Sequence, residues 1–157
     1  MKIKSILALA LLALSAPTFA QTFGDFQATS SVDDFTDEKT IMALAQQPKD
    51  GMYESTYAMS CENDGSIRHI AMMGGYVTGS DAILTNTLMR FDKGEVWEGN
   101  AYAVNNLIVF RAGTPMPATA ESLVVQVKDY SGSKVTTKFS IKGYGEALTW
   151  ITAECSK

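Results

Sequence analysis

The sequence predicts an α+β fold, predominantly antiparallel β of a meander or sandwich-like kind, with a C-terminal amphipathic helix packed on the sheet. Short β-branched runs follow one another with turn residues between them, and the hydrophobic spacing changes to three and four near the end of the chain. The chain has 157 residues, 46% of them hydrophobic and 19% charged, as in globular proteins, and it contains no repeat or linker. We therefore expect one β-rich domain over residues 21–157.

The first 20 residues have the pattern of a secretory signal peptide. Lys2 and Lys4 precede the apolar run Ile6–Leu14, and a helix-breaking Pro17 leads to the small residue Ala20. A transmembrane anchor is the alternative, but this run is much shorter than the roughly 20 apolar residues that cross a bilayer. We expect cleavage after Ala20, a periplasmic location, and no membrane anchor after cleavage.

Most of the domain is predicted as strand, from alternation or from β-branched runs bounded by turn residues. Glu62–Gly65 predicts a hairpin turn, because its Asn, Asp and Gly adopt the left-handed conformations of tight turns. Residues 37–47 fit both strand and helical spacing, and we favour strand. In chain order the predicted strands are 37–47, 55–61, 66–73, 83–91, 95–103, 106–111, 122–129 and 134–141.

The last element, 144–155, is predicted as an amphipathic helix. Its apolar residues recur at spacings of three and four: Tyr144, Ala147, Leu148, Ile151 and Cys155. A half-buried sheet must cover its hydrophobic side, and this helix is the candidate cover. Gly143 precedes the helix and is expected to supply the conformational freedom of the strand-to-helix corner.

Cys61 and Cys155 are the only cysteines, and in an exported chain we expect a disulfide between them. Two separately buried thiols are the alternative. The chain has a single histidine, His69, and no CxxC pair, so neither a zinc site nor a thioredoxin-like redox site is predicted. We expect no metal and no cofactor.

The charge of the mature chain argues against nucleic acid as a partner. Loss of Lys2 and Lys4 with the signal peptide leaves 11 basic against 17 acidic residues, a net charge of −6. No Lys/Arg cluster remains to contact a phosphate backbone.

Two groups of polar residues are candidates for chemical sites. Asp33, Asp34, Asp37 and Glu38 could hold calcium or act as paired acid and base, but they lack the order of an EF-hand loop and are better interpreted as turn formers. His69 has no GxSxG motif to pair with, so a catalytic triad is not predicted. We expect no enzymatic activity.

The hairpin 83–103 carries the candidate partner-contact surface: Arg90, Asp92, Trp97 and Tyr102. Aromatic residues and arginine are enriched at the energetic centres of protein interfaces. The alternative is structural, with a cross-strand ion pair beside a half-buried tryptophan. We prefer the structural interpretation, and keep this hairpin as the first choice for a binding surface.

The order of several short motifs resembles the TagO/VasI-type accessory proteins associated with bacterial type VI secretion. The motifs are Ser30–Asp34 before a strand, the strand end Tyr57–Cys61, Arg90–Asp92 with Trp97 soon after, Phe139–Gly143, and a helix that finishes at Cys155. The resemblance implies a periplasmic, non-enzymatic β-rich domain with one cysteine pair, and it supplies no catalytic residues.

Two functions are therefore expected as alternatives. The first is a periplasmic accessory protein, associated with type VI secretion, that contacts a cell-envelope protein. The second is an inhibitor or immunity protein that blocks an exported cell-wall hydrolase or toxin, a role that suits an acidic surface because wall hydrolases are basic.

Overall fold

The structure is a computed structural model, and it describes residues 19–47 and 55–157. These residues form ten strands and one helix: β1 (Phe19–Phe23), β2 (Phe26–Val32), β3 (Lys39–Gln46), β4 (Thr56–Cys61), β5 (Ile67–Met72), β6 (Ile83–Phe91), β7 (Val96–Val104), β8 (Leu107–Phe110), β9 (Ser122–Lys128), β10 (Lys134–Ser140) and α1 (Tyr144–Cys155).

All ten strands belong to one antiparallel sheet in the order β1-β2-β3-β4-β5-β8-β7-β6-β9-β10. The first five strands form a meander, each paired with the next along the chain. The chain then crosses to β6, so that β8 lies beside β5 while β6 lies beside β9. The predicted fold class is confirmed, although the second half of the sheet is not a simple meander.

The sheet curls until its first and last strands approach each other. The backbone N–H of Asp25, in the β1–β2 turn, donates to the carbonyl of Lys142 at 2.9 Å. The side chain of Gln47 accepts from the N–H of Ser140 and donates to its carbonyl oxygen, at 2.7 and 3.0 Å. The curled sheet encloses a core in which Tyr57 of β4 contacts Phe139 of β10, with ring centroids 6.3 Å apart.

Helix α1 covers the inner face of β1–β4. Its buried residues are Tyr144, Ala147 and Ile151, as the spacing predicts. Gly143 begins the helix with a φ of 81°, a left-handed conformation that glycine adopts without steric cost and that confirms the predicted corner. No helix in the described part of the chain is long and apolar enough to cross a membrane.

The predicted disulfide between Cys61 and Cys155 is confirmed. It joins the last residue of β4 to the last residue of α1, with Cα atoms 5.7 Å apart. The bond ties the helix to the strand that it covers.

Two strands were not predicted. β2 was missed because its sequence, FQATSSV, is mostly small and polar, yet Phe26 and Ala28 are fully buried and β2 pairs with both β1 and β3. β1 includes Phe19 and Ala20, the last two residues assigned to the signal peptide. The rest of that segment, residues 1–18, lies outside the described residues. The segment 37–47, which fits both strand and helical spacing, contains β3, so the preferred strand interpretation is confirmed.

Candidate functional site

Arg90 secures the β6–β7 turn. Its Nε donates to the carbonyl of Gly94 at 3.1 Å, and its Nη2 donates to that of Lys93 at 3.3 Å. No ion pair joins Arg90 to Asp92 among the side chains that the structure describes. The cross-strand ion pair considered from the sequence is therefore not present, and both of these hydrogen bonds from Arg90 stay within the hairpin itself.

Asp92 also has a structural role. Its Oδ1 accepts hydrogen bonds from the backbone N–H groups of Glu121 and Ser122, at 3.1 and 2.9 Å, and from the Ser122 hydroxyl at 3.2 Å. The residue has a φ of 50°, a left-handed turn conformation that aspartate tolerates better than most residues. Asp92 therefore anchors the start of β9 to the β6–β7 turn.

Trp97 and Tyr102 lie on opposite faces of β7, because side chains alternate along a strand. Trp97 is half-buried against the core and lies over Gly99, where a Cβ would overlap its indole ring. Tyr102 points outward and is 49% exposed. Of the four residues predicted as one contact surface, Arg90, Asp92 and Tyr102 are exposed, and Tyr102 is the one of these three whose side chain makes no hydrogen bond to a described residue.

Tyr102 belongs to an apolar row that crosses six strands on the outer face of the sheet. The members are direct cross-strand partners: Leu44, Ala58, Ile70, Val109, Tyr102 and Leu84. Tyr102 and Leu84, at the β6–β7 end, are 49% and 53% exposed. We name this set the outer apolar row; α1 packs on the other face of the sheet, where Tyr144 contacts Phe26 and Tyr57.

A second group of functional interest, His69 with two tyrosines, lies on the inner side. The Tyr57 hydroxyl is 2.9 Å from Nδ1 of His69, and the ring centroids of His69 and Tyr144 are 6.1 Å apart. The Tyr144 hydroxyl is buried and makes no hydrogen bond within the described residues. Burial lowers the pKa of His69 to about 4 and raises the pKa of Tyr144 to about 12, so both groups are neutral at pH 7.

His69 and Tyr144 line a cleft of about 750 Å³ between the β4–β5 turn, the connection after β8, and α1. Glu62 and Asp64 lie on the same cleft, but each carboxylate has its own partner. Glu62 pairs with Arg68 at 2.6 Å, and Asp64 accepts the N–H of Ser66 at 2.9 Å. No hydrogen bond joins His69 to a carboxylate in the described ranges, and so no acid–base pair is assembled there.

The acidic segment 33–38 forms the β2–β3 turn, as the turn-former interpretation predicts. Asp33 Oδ1 accepts from the N–H groups of Phe35 and Thr36 and from the Thr36 hydroxyl, at 2.9, 2.8 and 3.0 Å. These bonds, first of all the one from Phe35, hold the pKa of Asp33 below its usual value. Phe35, at the tip, is 96% exposed. Over residues 19–47 and 55–157, no group of three or more His, Cys, Asp or Glu side chains is arranged to hold a metal ion.

Sequence reasoning missed the contact between Tyr57 and His69. The β4–β5 register places Met59 opposite His69 and Tyr57 opposite Ala71, on the inner face. The hairpin turn that the sequence predicts fixes this register, so the register could have been used to place Tyr57 and His69 on the same face. The position of Tyr144 depends on how α1 docks, and no local pattern encodes it.

No family model matches the chain, and comparisons with curated proteins and with solved structures find no match. The TagO/VasI-type resemblance therefore stays a prediction.

The buried imidazole predicts a pH-dependent stability. The pKa of His69 falls from an ordinary 6.5 to about 4 on folding, so the unfolded chain binds more protons between these values. Stability is expected to fall as the pH drops through this window, by about 2 kcal/mol between pH 7.5 and pH 5. Urea unfolding at several pH values measures the slope of the free energy of unfolding against pH.

The matched variant is His69→Gln, which cannot titrate. Its free energy of unfolding should no longer depend on pH above pH 5, but it should keep the acid denaturation that protonation of carboxylates causes at lower pH. An unchanged slope in the variant would contradict the assignment to His69.

Proposed function

We propose that this chain is an exported, non-enzymatic interaction protein of the periplasm that contacts a cell-envelope protein through the outer apolar row. The observation that carries the proposal is the exposure of Tyr102 and Leu84 at one end of that row. Exposed apolar patches are typical of interaction sites, and tyrosine is enriched at their centres. The disulfide supports export, because such bonds persist in oxidising compartments.

The context proposed for this contact is type VI secretion. Support for it comes from the order of motifs around the two cysteines, which resembles the TagO/VasI-type accessory proteins. A non-enzymatic role fits the engaged carboxylates of the cleft and the structural use of Arg90 and Asp92.

One observation favours the second candidate, an inhibitor of an exported hydrolase. Phe35 projects from a turn that Asp33 holds with three hydrogen bonds, and acidic residues flank it on both sides. A preorganised acidic turn with an exposed aromatic tip has the shape and charge to enter the cleft of a basic enzyme.

The experiment compares Tyr102→Glu with Phe35→Glu, which introduce the same charge at exposed aromatic residues. If the outer apolar row is the contact, Tyr102→Glu should weaken binding to the purified envelope partner by roughly 30-fold, the effect of a loss of about 2 kcal/mol at an interface centre. Phe35→Glu should bind as the wild type does. Circular dichroism confirms that both variants fold.

The reverse result, with binding lost in Phe35→Glu alone, would favour the inhibitor. In that case the wild-type protein should also inhibit a cell-wall hydrolase in a turbidity assay, and Phe35→Glu should not. If both variants bind normally, neither surface is the contact.

A further inference from the structure

A row of basic and amide side chains lies beside the outer apolar row, on the same face of the sheet. Its first four members are two residues along the chain from Ile70, Val109, Tyr102 and Leu84, so strand alternation directs them outward as well. All of its members are exposed. We name this set the basic row, and in strand order it holds Arg68, Arg111, Asn100, Asn86, Lys128 and Lys134.

The strand register brings the members of the basic row together. Asn86 pairs directly with Asn100. Lys128 pairs directly with Lys134. The β6–β9 register, continued by one residue, places Asn86 beside Lys128. The β7–β8 register, continued in the same way, places Asn100 beside Arg111. The sequence shows no such cluster, because these residues come from different strands.

Two open grooves lie on this face, one beside Tyr102 and the other beside Leu84. The groove beside Tyr102 has a volume of about 430 Å³, and Arg68 and Arg111 line it. The groove beside Leu84 has a volume of about 530 Å³, and its lining includes Lys128. Tyr102 and Leu84 are cross-strand partners, so the exposed end of the outer apolar row has basic residues on both sides.

The fold separates these bases from most of the acidic residues. The outward-facing positions of β5–β10 carry one acid, Glu98, which accepts a hydrogen bond from the Asn86 side chain at 2.8 Å. Arg68 is paired with Glu62. Although the mature chain is acidic overall, this face attracts an anion. Three bases of the row form no ion pair within the described ranges: Arg111, Lys128 and Lys134.

The spacing of the unpaired bases defines what can bridge them. Arg111 follows β8 and Lys128 ends β9, and these strands are three strand spacings apart in the sheet, or about 14 Å. An extended chain advances about 3.3 Å per residue, so two carboxylates about four residues apart match these two bases. The residue midway between them faces the same side and lies next to Tyr102 and Leu84.

These features favour a protein segment over a lipid surface. A side chain that binds a bilayer must reach the acyl boundary below the headgroups. Tyr102 and Leu84 lie within strands and are only half exposed, so they do not project in this way. Asn100, exposed between the unpaired bases, can donate to and accept from a peptide backbone.

We infer that the partner presents an extended acidic segment to this face. Two carboxylates about four residues apart pair with Arg111 and Lys128, and an apolar residue between them packs on Tyr102 and Leu84. This inference rests on the proposed function, because it takes the outer apolar row as part of the same contact.

The test is a titration of the full mature protein, followed by two-dimensional NMR, with the capped peptide GDTFTDG as the probe. Peptide GKTFTKG reverses the charges, and peptide GDTSTDG removes the apolar residue. We expect saturable shift changes along the basic row and at Tyr102 with GDTFTDG, weakening as salt rises, and weaker binding of both control peptides. No response, or an equal response to GKTFTKG, would overturn the inference.

Charge reversal on the protein sharpens the test. The double variant Arg111→Glu, Lys128→Glu should bind GDTFTDG roughly tenfold more weakly or worse. The matched control Lys93→Glu, Lys142→Glu makes the same change of net charge at exposed lysines outside the row, and it should bind as the wild type does. Circular dichroism confirms that both fold. Equal affinities in the two double variants would overturn the inference.

Two further measurements separate this inference from its alternatives. Binding to phosphatidylglycerol vesicles that GDTFTDG does not displace would assign the basic row to a membrane surface and overturn the inference. An envelope protein whose binding depends on Tyr102 but not on Arg111 and Lys128 would also overturn it, while leaving the proposed function intact.

Discussion

Removal of the Cys61–Cys155 disulfide is expected to lower the free energy of unfolding by about 4 to 5 kcal/mol. The bond closes a loop with a sequence separation of 94, and cross-linking a loop of this length strongly restricts the unfolded chain. In the folded state the same bond holds the end of α1 against β4. The melting temperature should fall by roughly 10 to 20 °C.

The measurement is thermal unfolding of the wild type with and without reductant, beside the double variant Cys61→Ser, Cys155→Ser. Reduced wild type and the double variant should melt at similar temperatures, and reductant should not affect the variant. A drop of only a few degrees would show that the bond does not constrain the unfolded chain as the loop length predicts.

The second large effect is expected from Gly143→Ala. Gly143 has a φ of 81°, and a Cβ at this position would overlap the carbonyl of Phe23. A Cβ at Gly24 would in turn overlap the carbonyl of Lys142, so two backbone segments meet here without room for a side chain. We expect Gly143→Ala to destabilise the protein by more than about 3 kcal/mol, because these two backbone segments must move apart and break the contact that closes the curled sheet.

Gly132→Ala is the matched control. Gly132 has a φ of 83°, but no atom lies within 4 Å of an added Cβ. It therefore reports the conformational cost alone, about 1 to 2 kcal/mol. Equal losses in the two variants, measured by urea unfolding, would mean that the close approach of Phe23 and Gly143 contributes little.

The fold could be predicted where the local pattern is complete. The helix 144–155 was predicted with the bounds it has, because its apolar spacing and the preceding Gly143 are both local signals. β2 could not be predicted, because its buried positions hold Phe26 and the small Ala28 among polar residues. The pairing of β6 with β9 depends on contacts distant in sequence, which periodicity does not encode.

The candidate surface could be predicted only in part, for a related reason. The sequence shows that Arg90, Asp92 and Tyr102 have residue types common at interfaces. The backbone groups that form hydrogen bonds with Arg90 and Asp92 become known only in three dimensions. The exposure of Tyr102 could be predicted, because strand alternation directs its side chain outward. The unsatisfied hydroxyl of Tyr144 was beyond sequence reasoning, since it depends on how α1 docks on the sheet.

Site-specific photo-crosslinking in living cells tests directly whether the outer apolar row contacts an envelope protein. A benzophenone amino acid replaces Tyr102, Phe35 or, as a control on the same face but outside the row, the exposed Thr136 of β10. We expect one reproducible adduct with a cell-envelope protein from position 102 and none from position 136. Adducts from position 35 alone, or equal adducts from all three positions, would show that the outer apolar row is not the contact.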